Sequence, residues 1–173
     1  MNISRVWCMP NHNTFSIKPI KELILKYIQG EWLDPFSRNS PGEIRKFCIT
    51  NDLNPEFEAD YHMESLEFLQ HMATKEYDGI LFDPPYSPRQ ISECYKGVGR
   101  AVHMKDTQAS FYGDRKAACA KLIKTGGHCI SFGWNSGGLG KKNGFEIIEI
   151  LLIAHGGAHN DTICTVERKS ITK

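Results

Sequence analysis

The clearest hydrophobic pattern in the chain lies between Ser16 and Gln29, where apolar residues recur at positions 20, 23, 24, 27 and 28. This spacing places them on one face of a helix, so the sequence predicts an amphipathic helix over this stretch. Pro19 falls in the predicted first turn, and Gly30 follows the predicted end. Both residues are typical of these positions, because proline lacks the amide hydrogen that a first turn leaves unpaired and glycine accepts the left-handed backbone that ends many helices.

Six further apolar runs are short and almost continuously hydrophobic, which is typical of strands buried on both faces of a sheet. They lie at residues 31–34, 47–52, 77–83, 128–134, 145–154 and 162–168. Further helices are predicted at 40–46, 64–75 and 110–124, and Gly126-Gly127 marks the expected end of the last of them. Residues 87–110 show no clear period.

This alternation predicts an α/β fold with a mostly parallel sheet that helices cover on both faces. The last two strands are separated only by the loop HGGAHND, so we expect them to pair as an antiparallel hairpin. No internal repeat, low-complexity segment or linker interrupts the pattern. Residues 1–173 are therefore predicted to form a single domain.

Three of the predicted strands end in an aspartate, namely Asp34, Asp52 and Asp83. Parallel strands present their carboxyl ends at one edge of the sheet, where α/β folds bind ligands. The alternative is that each aspartate caps the helix that follows it. Two prolines and Tyr86 follow Asp83, so a carboxylate, a rigid bend and an aromatic ring lie at one point. This combination favours a site for a flat, polar ligand over a simple turn.

The composition is that of an ordinary globular domain, with 40% hydrophobic and 24% charged residues. The formal net charge is +1, so a nucleic-acid partner would be bound by a local patch rather than by a large basic field. The six cysteines form no C-x-x-C pair, which favours reduced thiols in a cytoplasmic protein. No signal peptide is evident, and no apolar run is long enough to span a membrane.

The stretch from Asp83 to Tyr86, DPPY, matches the catalytic motif of the amino-methyltransferases that use S-adenosylmethionine. The chain resembles above all the adenine-N6 DNA methyltransferases. The segment TFSIKPIKELILKYIQGEWLDPF looks like their cofactor segment, in which a Lys-Pro helix leads into a strand ending in Asp-Pro-Phe. NDLNP, residues 51–55, is similar to their next cofactor motif. The matches cover residues 14–90, and they imply a Rossmann-like methyltransferase fold with a seven-stranded, mostly parallel sheet and an antiparallel C-terminal hairpin.

The resemblance implies S-adenosylmethionine as the cofactor and DNA as the partner. Asp83 and the Pro84 carbonyl would hold the N–H groups of an adenine amino group, and Tyr86 would stack on a base taken out of the duplex. The implied catalytic residues are Asp83, Pro84, Pro85 and Tyr86. The implied cofactor-binding residues are Thr14, Lys18, Asp34, Pro35, Phe36, Asp52, Leu53, Glu64 and Ser65. Direct methyl transfer needs no metal.

The sequence departs from this family in two respects. Ser37-Arg38-Asn39-Ser40 stands where the family has a glycine-rich loop next to the methionine part of the cofactor. The chain also has no room for a separate target-recognition domain, so residues 87–110 are predicted to form a substrate-recognition insert. The candidate nucleic-acid contacts are Arg89, Lys96, Arg100 and Lys105 in this insert and the pair Lys141 and Lys142. A homodimer that shares the recognition work is an alternative.

Other activities fit the same motif. Cytosine-N4 in DNA and the amino groups of RNA bases or of protein glutamine are alternative methyl acceptors. A binding protein that keeps the fold without turnover is a second alternative, and an enzyme that cleaves the cofactor is a third. His155, His159 and Asp161 lie in a glycine-containing loop where no helix aligns them, so we expect no metal site there. The resemblance instead implies that this loop lies near the target base.

Overall fold

The computed structural model describes residues 1–170. Its strands are β1 (Asn2–Trp7), β2 (Trp32–Asp34), β3 (Cys48–Thr50), β4 (Tyr77–Phe82), β5 (Ile123–Gly133), β6 (Phe145–Ala154) and β7 (Thr162–Lys169). Its α-helices are α1 (Lys18–Tyr27), α2 (Gly42–Arg45), α3 (Ser65–His71), α4 (Pro88–Gly97) and α5 (Ala109–Leu122). Short 3₁₀ turns lie at Thr14–Ser16, Met104–Thr107 and Lys141–Asn143.

The seven strands form one sheet in the order β1-β6-β7-β5-β4-β2-β3. β7 is antiparallel to both of its neighbours, β5 and β6, while the other neighbouring strands are parallel. The predicted α/β fold is therefore confirmed, including the seven strands, the mostly parallel sheet and the antiparallel C-terminal hairpin. The order reverses between β2 and β4, since β3 follows β2 on one side of it and β4 and β5 follow on the other.

Helices cover both faces of this sheet, as predicted. α1 and α2 pack on one face through Ile20 and Ile44, and α3 and α5 cover the other through Phe68 and Cys119. All four side chains are fully buried, which contributes roughly 1.5–3 kcal/mol for each large apolar one. Gly30 lies in the turn between α1 and β2 with a φ of 76°, and a side chain there would collide with Asp78, so glycine is favoured at this position.

The boundary between α5 and β5 differs from the prediction. The helix ends at Leu122, and the strand begins at Ile123 rather than at residue 128. Ile123 is paired with Tyr77 of β4, and the register between the strands then shifts before Gly79 meets His128. The double glycine thus lies in an irregularity of a long strand instead of ending a helix, because Ile123 is already anchored in the sheet.

Two elements, α4 and β1, were not predicted from the sequence. α4 lies inside residues 87–110 and is capped by Ser87, whose hydroxyl accepts a hydrogen bond from the Gln90 amide at 3.3 Å. Of its residues only Ile91 and Tyr95 are buried, so no clear period is visible. β1 is exposed at all six positions and pairs with β6 alone, so no hydrophobic alternation marks it. It leaves one edge of the sheet open, and the homodimer stays a prediction.

Candidate active site

The carboxyl ends of β2, β3 and β4 bring three aspartates to one edge of the sheet. β2 lies between the other two strands and is parallel to both, so Asp34, Asp52 and Asp83 follow strands that end at the same edge. A cavity of about 670 Å³ opens there. Asp52 and Asp83 line this main cavity, whereas Asp34 lies beneath it with 0% exposure. The expected convergence is confirmed, and Asp34 differs from the other two in its position.

The turn from Asp83 to Tyr86 is held by two hydroxyl groups. The Tyr86 hydroxyl donates a hydrogen bond to Oδ1 of Asp83 at 2.5 Å, which fixes the rotation of the carboxylate. The hydroxyl of Tyr112 on α5 donates to the Pro85 carbonyl at 2.7 Å. Because the two prolines restrict the backbone as well, this turn is rigid before any ligand arrives.

The carboxylate of Asp83 has an unusual acidity. Burial raises the pKa of Asp83 to about 6, although the bond from the Tyr86 hydroxyl acts against this shift. Burial and the neighbouring Asp83 charge also raise the pKa of Tyr86, so its hydroxyl keeps its proton. A carboxylate that titrates near pH 6 is ionised at neutral pH and is a stronger proton acceptor than an ordinary aspartate.

Asp34 organises the loop of residues 35–40 from below. Its Oδ2 accepts a hydrogen bond from the Ser40 hydroxyl at 2.8 Å, and its Oδ1 accepts one from the Phe36 amide at 3.4 Å. Burial raises the pKa of Asp34 to about 8. Its position fits a residue that holds the loop and does not fit the direct cofactor contact that the family resemblance implies.

Asp52 lies two residues beyond β3 and lines the main cavity. Its Oδ2 accepts a hydrogen bond from the Arg38 amide at 2.9 Å, and its Oδ1 accepts one from the Asn54 amide at 2.8 Å. Burial raises the pKa of Asp52, while these two amides act in the opposite direction. The two backbone bonds orient a carboxylate at the cavity wall, which is the arrangement a pair of ribose hydroxyls requires.

Glu64 forms a buried ion pair that the sequence did not reveal. Its Oε1 accepts hydrogen bonds from Arg115 Nη2, from the Ser65 hydroxyl at 2.8 Å and from the Tyr95 hydroxyl at 3.2 Å. Arg115 Nε also donates to Ser65 Oγ at 2.6 Å. Burial alone would raise the pKa of Glu64, but the guanidinium beside it overrides this effect and the pKa is lowered. The only sequence signal for Arg115 is its place on the buried side of α5, four residues after Phe111.

A second, smaller cavity of about 310 Å³ adjoins the main cavity across Tyr86. The residues that line both cavities are Asn11, Thr14, Tyr86 and Gln90. The remaining lining of the smaller cavity consists of Pro10, Ile17, Trp134, His155, Ala158, His159, Asn160 and Thr162. This lining holds amides, hydroxyl groups and rings, and it contains no aspartate, glutamate, lysine or arginine.

The rim of the smaller cavity combines the end of β5 with the loop between β6 and β7. Trp134 is 43% exposed, and its ring meets the Tyr86 ring edge-on with 5.7 Å between centroids. His155 is buried, with Nδ1 2.8 Å from the Cys8 carbonyl and Nε2 2.8 Å from the Thr162 hydroxyl. The β6–β7 loop therefore lies beside the motif turn, and its place near a target base stays a prediction.

The other predicted site residues divide between the main cavity and positions outside it. Those that line the main cavity are Thr14, Pro35, Phe36, Asp52, Leu53, Glu64, Ser65, Asp83, Pro84, Pro85 and Tyr86. The Lys18 side chain is 82% exposed and pairs with Glu22 at 3.9 Å, outside the lining. Arg89 is outside the lining and pairs at 2.8 Å with Glu93, which is part of the lining. The remaining predicted contacts Lys96, Arg100 and Lys105 are likewise exposed.

Residues 87–110, the predicted substrate-recognition insert, contain α4, and their recognition role stays a prediction. α4 packs through Ile91 and Tyr95 against Phe111, and residues of this helix form a wall of the main cavity. Lys141 and Lys142 lie in the 3₁₀ turn before β6, at the end of that strand away from the motif turn. Ten residues of strand span roughly 30 Å, so their predicted role as phosphate contacts beside this site does not fit the structure.

Comparison with known proteins gives structural matches only. No family model and no curated protein sequence matches the chain. TrmN from Thermus thermophilus is similar with a TM-score of 0.58 and 15% identity, over 88% of this chain and 49% of that one. NSun6 from Pyrococcus horikoshii, solved with SFG, has a TM-score of 0.56 and 13% identity, over 87% and 50%. The N-methyltransferase NodS from Bradyrhizobium japonicum WM9, solved with S-adenosyl-L-homocysteine, has a TM-score of 0.56 and 10% identity, over 92% and 89%.

The chain has a methyltransferase fold. At these identities the likeness is one of architecture, and the chain spans about half the length of the TrmN and NSun6 chains. Two of these neighbours were solved with S-adenosylmethionine analogues. In a methyltransferase fold of this Rossmann-like kind, ligands bind at the carboxyl ends of the strands, which is the edge where the main cavity lies.

Two further features of this methyltransferase fold concern metals and membranes. Within residues 1–170, no group of three His, Cys, Asp or Glu residues is arranged to hold a metal ion. No helix in this part of the chain is both long enough and apolar enough to cross a bilayer.

All six cysteines are free thiols, as predicted, and Cys119, Cys129 and Cys164 are buried.

Proposed function

We propose that this protein is an S-adenosylmethionine-dependent methyltransferase that methylates the N6 amino group of adenine in DNA. The observation that carries the proposal is the place of the Asp83–Tyr86 turn between two adjoining cavities. The whole turn lines the main cavity, and Tyr86 lines the smaller cavity as well. A methyl donor on one side and an acceptor on the other would therefore meet at this turn.

The lining of the main cavity suits the proposed cofactor. Asp52 presents a carboxylate for two vicinal hydroxyl groups, and Phe36, Leu53 and Val98 provide apolar surface for a flat ring. S-adenosylmethionine supplies a methyl group that its positively charged sulfur activates for transfer. Carboxylates in the lining compensate that positive charge, and the Asp83 carboxylate accepts a hydrogen bond from Tyr86, which lines the smaller cavity as well.

The chemistry of the turn suits an aromatic amine as the acceptor. The lone pair of such an amino group is shared with the ring, so the group is a poor nucleophile. The Asp83 carboxylate and the Pro84 carbonyl are two acceptors for its N–H groups, and accepting both bonds directs the lone pair toward the methyl donor. The nitrogen gains the methyl group and loses one proton, for which Asp83, with its pKa raised to about 6, is the acceptor.

The smaller cavity favours a neutral, planar acceptor. Its lining has no charged carboxylate or ammonium group, and it places the rings of Tyr86 and Trp134 beside the amides of Asn11 and Asn160. Rings stack on bases, and amides hydrogen-bond to base edges. A nucleic-acid base that has left its stack fits this lining better than an acidic or basic peptide side chain does. Cytosine in DNA and bases in RNA remain the alternative acceptors.

The test is transfer of a labelled methyl group. The protein is incubated with methyl-labelled S-adenosylmethionine and unmethylated single-stranded DNA, double-stranded DNA, RNA or no acceptor, and the product nucleosides are separated. We expect label in N6-methyladenine from DNA, loss of label with Asp83→Ala, and retention with Asp114→Ala, a control in an exposed carboxylate of α5. Label in N4-methylcytosine or in RNA would replace the proposed acceptor by the alternative one. Binding without transfer, or cofactor breakdown without acceptor, would refute the proposal.

A further inference from the structure

The loop of residues 37–40 keeps a glycine-like turn without a glycine. Arg38 has a φ of 45°, and within residues 1–170 it is the one non-glycine residue with a positive φ. Its amide donates a hydrogen bond to Asp52 at 2.9 Å, and the Ser37 amide donates to the Asn51 carbonyl at 2.9 Å. Glycine would adopt this backbone without strain. Arginine is strained in it, and the surrounding hydrogen bonds must offset that strain. The side chain at this position therefore invites a functional explanation.

The charges in the main cavity show what that side chain can do. The lining contains four carboxylates, Asp52, Glu64, Asp83 and Glu93, and Arg38 is its single lysine or arginine. Glu64 and Glu93 already have partners outside the lining, because Arg115 pairs with Glu64 and Arg89 pairs with Glu93. Within the described residues, Asp52 and Asp83 are the lining carboxylates without an ion pair, so the cavity is negative apart from one guanidinium. Its pattern complements a ligand with several positive groups and a single negative one.

The guanidinium of Arg38 is not held by a carboxylate. It stacks over the Phe57 ring at 5.0 Å from the centroid, and no carboxylate of residues 1–170 forms an ion pair with it. Arg38 is exposed, although its backbone is tied to Asp52. Stacking on Phe57 orders the planar group and leaves its N–H edges for an anion.

We propose that the Arg38 guanidinium binds the carboxylate of the methionine part of S-adenosylmethionine. This inference rests on the cofactor part of the proposed function and goes beyond it, since it assigns the one anionic group of the cofactor to the one arginine of the cavity. The carboxylate that a glycine-rich loop would hold with backbone amides is held here by a side chain. Two parallel N–H bonds from a guanidinium fit a carboxylate in geometry as well as in charge.

The experiment is a binding cycle between Arg38 and the ligand carboxylate. Calorimetry measures the affinity of S-adenosylmethionine and of decarboxylated S-adenosylmethionine for the wild type, Arg38→Gly and Arg38→Lys. Arg38→Gly relieves the backbone strain, so its loss of affinity isolates the side chain. We expect Arg38→Gly to weaken S-adenosylmethionine about 10- to 100-fold relative to its effect on the decarboxylated ligand, from the usual strength of charged hydrogen bonds. Arg38→Lys keeps the charge but loses the planar pair of N–H donors. We expect its affinity for S-adenosylmethionine to lie between those of the wild type and Arg38→Gly.

Controls separate this contact from other effects. Arg100→Ala removes a cation outside the cavity and is expected to leave the ratio of the two affinities unchanged. High salt weakens long-range effects of charge but leaves a direct contact in place. If Arg38→Gly changes both affinities by the same factor, or binds the cofactor more tightly, the proposal is wrong.

The binding cycle needs neither an acceptor nor methyl transfer. If Arg38→Gly gives the expected ratio of affinities but the wild type transfers no methyl group, the Arg38 contact is supported and the proposed function is refuted. If the wild type transfers methyl groups but Arg38→Gly affects both ligands equally, the proposed function is supported and the Arg38 contact is refuted. A wild type that binds neither ligand overturns both.

Discussion

Replacing Asp83 with asparagine is expected to abolish methyl transfer and to stabilise the fold. Asparagine keeps the shape and an oxygen that can accept the Tyr86 hydroxyl, so the perturbation is the loss of a charge. In the folded protein, burial raises the pKa of Asp83 from 3.8 to about 6. Between these two pH values the folded state keeps a proton that the unfolded chain has released. The stability of the wild type therefore falls as the pH rises through this window, and the loss is complete above about pH 6.

The size of this effect follows from the shift. A change of roughly two pKa units corresponds to about 3 kcal/mol at 1.36 kcal/mol per unit. We expect Asp83→Asn to match the wild type near pH 4 and to exceed its free energy of unfolding by about 3 kcal/mol at pH 8. Asp34 also has a raised pKa, mainly because of burial, and the Asp83 charge is a smaller cause, so most of the Asp34 contribution cancels in the difference.

The same substitution removes the proposed charged acceptor for the amino group. Loss of one preorganised electrostatic contact typically lowers kcat about 10²- to 10³-fold, and the lost proton acceptor adds to this. For the wild type we expect kcat/KM to fall about tenfold per pH unit below about pH 6, where Asp83 becomes protonated. Stability and activity should therefore move in opposite directions, as is common where a strained site serves catalysis.

Urea unfolding at pH 4 and pH 8, together with methyl transfer between pH 5 and pH 9, measures both effects on the same protein. Asp114→Asn serves as the control, because it removes an exposed carboxylate of α5 and should change neither quantity by much. An Asp83→Asn variant that is no more stable than the wild type at pH 8 would show that Asp83 is not strained by burial. A variant that keeps more than a tenth of the wild-type rate would exclude Asp83 from the chemistry.

Arg115→Met leaves Glu64 buried without its partner, so we expect a loss of about 3–5 kcal/mol in urea unfolding, most of which the double variant Arg115→Met/Glu64→Met recovers. A loss below about 1 kcal/mol in the single variant would contradict a buried, charged pair. Trp134→Ala removes a ring at the rim of the smaller cavity and is expected to raise the KM for DNA about 5- to 100-fold without changing cofactor affinity, from a stacking contribution of roughly 1–3 kcal/mol; unchanged KM would remove Trp134 from the acceptor site. Replacing Lys141 and Lys142 together by glutamine is expected to change the KM for DNA less than about twofold, and a larger effect would show that DNA reaches the far edge of the sheet.

Local patterns account for most of what the sequence could predict of the fold. The apolar face of α1 and the continuous buried run of β4 are patterns formed by residues close together in the sequence. Both elements begin and end within a few residues of the predicted bounds. The failures concern elements that depend on distant partners. β1 exists because it pairs with β6, more than a hundred residues away, and β5 begins early because Ile123 meets Tyr77. Neither pairing leaves a period in its own segment.

The candidate site shows the same division. The turn from Asp83 to Tyr86 is contiguous in the chain, so the types of these adjacent residues were enough to predict a ligand site there. The ion pair between Glu64 and Arg115 joins positions 51 residues apart, and a single arginine within a helix does not reveal its partner. The lysines at 141 and 142 were misplaced for a related reason, since glycines and lysines in a loop do not indicate which end of the sheet the loop reaches.

The loop of residues 37–40 changes most between sequence and structure. In the sequence its lack of glycine is the reason for considering a binding protein that has lost turnover. In the structure the loop is tied down at both ends, by Ser40 on the buried Asp34 and by the Arg38 amide on Asp52. A degenerating loop would have no need of a buried carboxylate with a pKa near 8 beneath it or of a strained arginine at its tip. The loop that argued against a working cofactor site is thus better explained as part of one, and the binding cycle at Arg38 decides between these explanations.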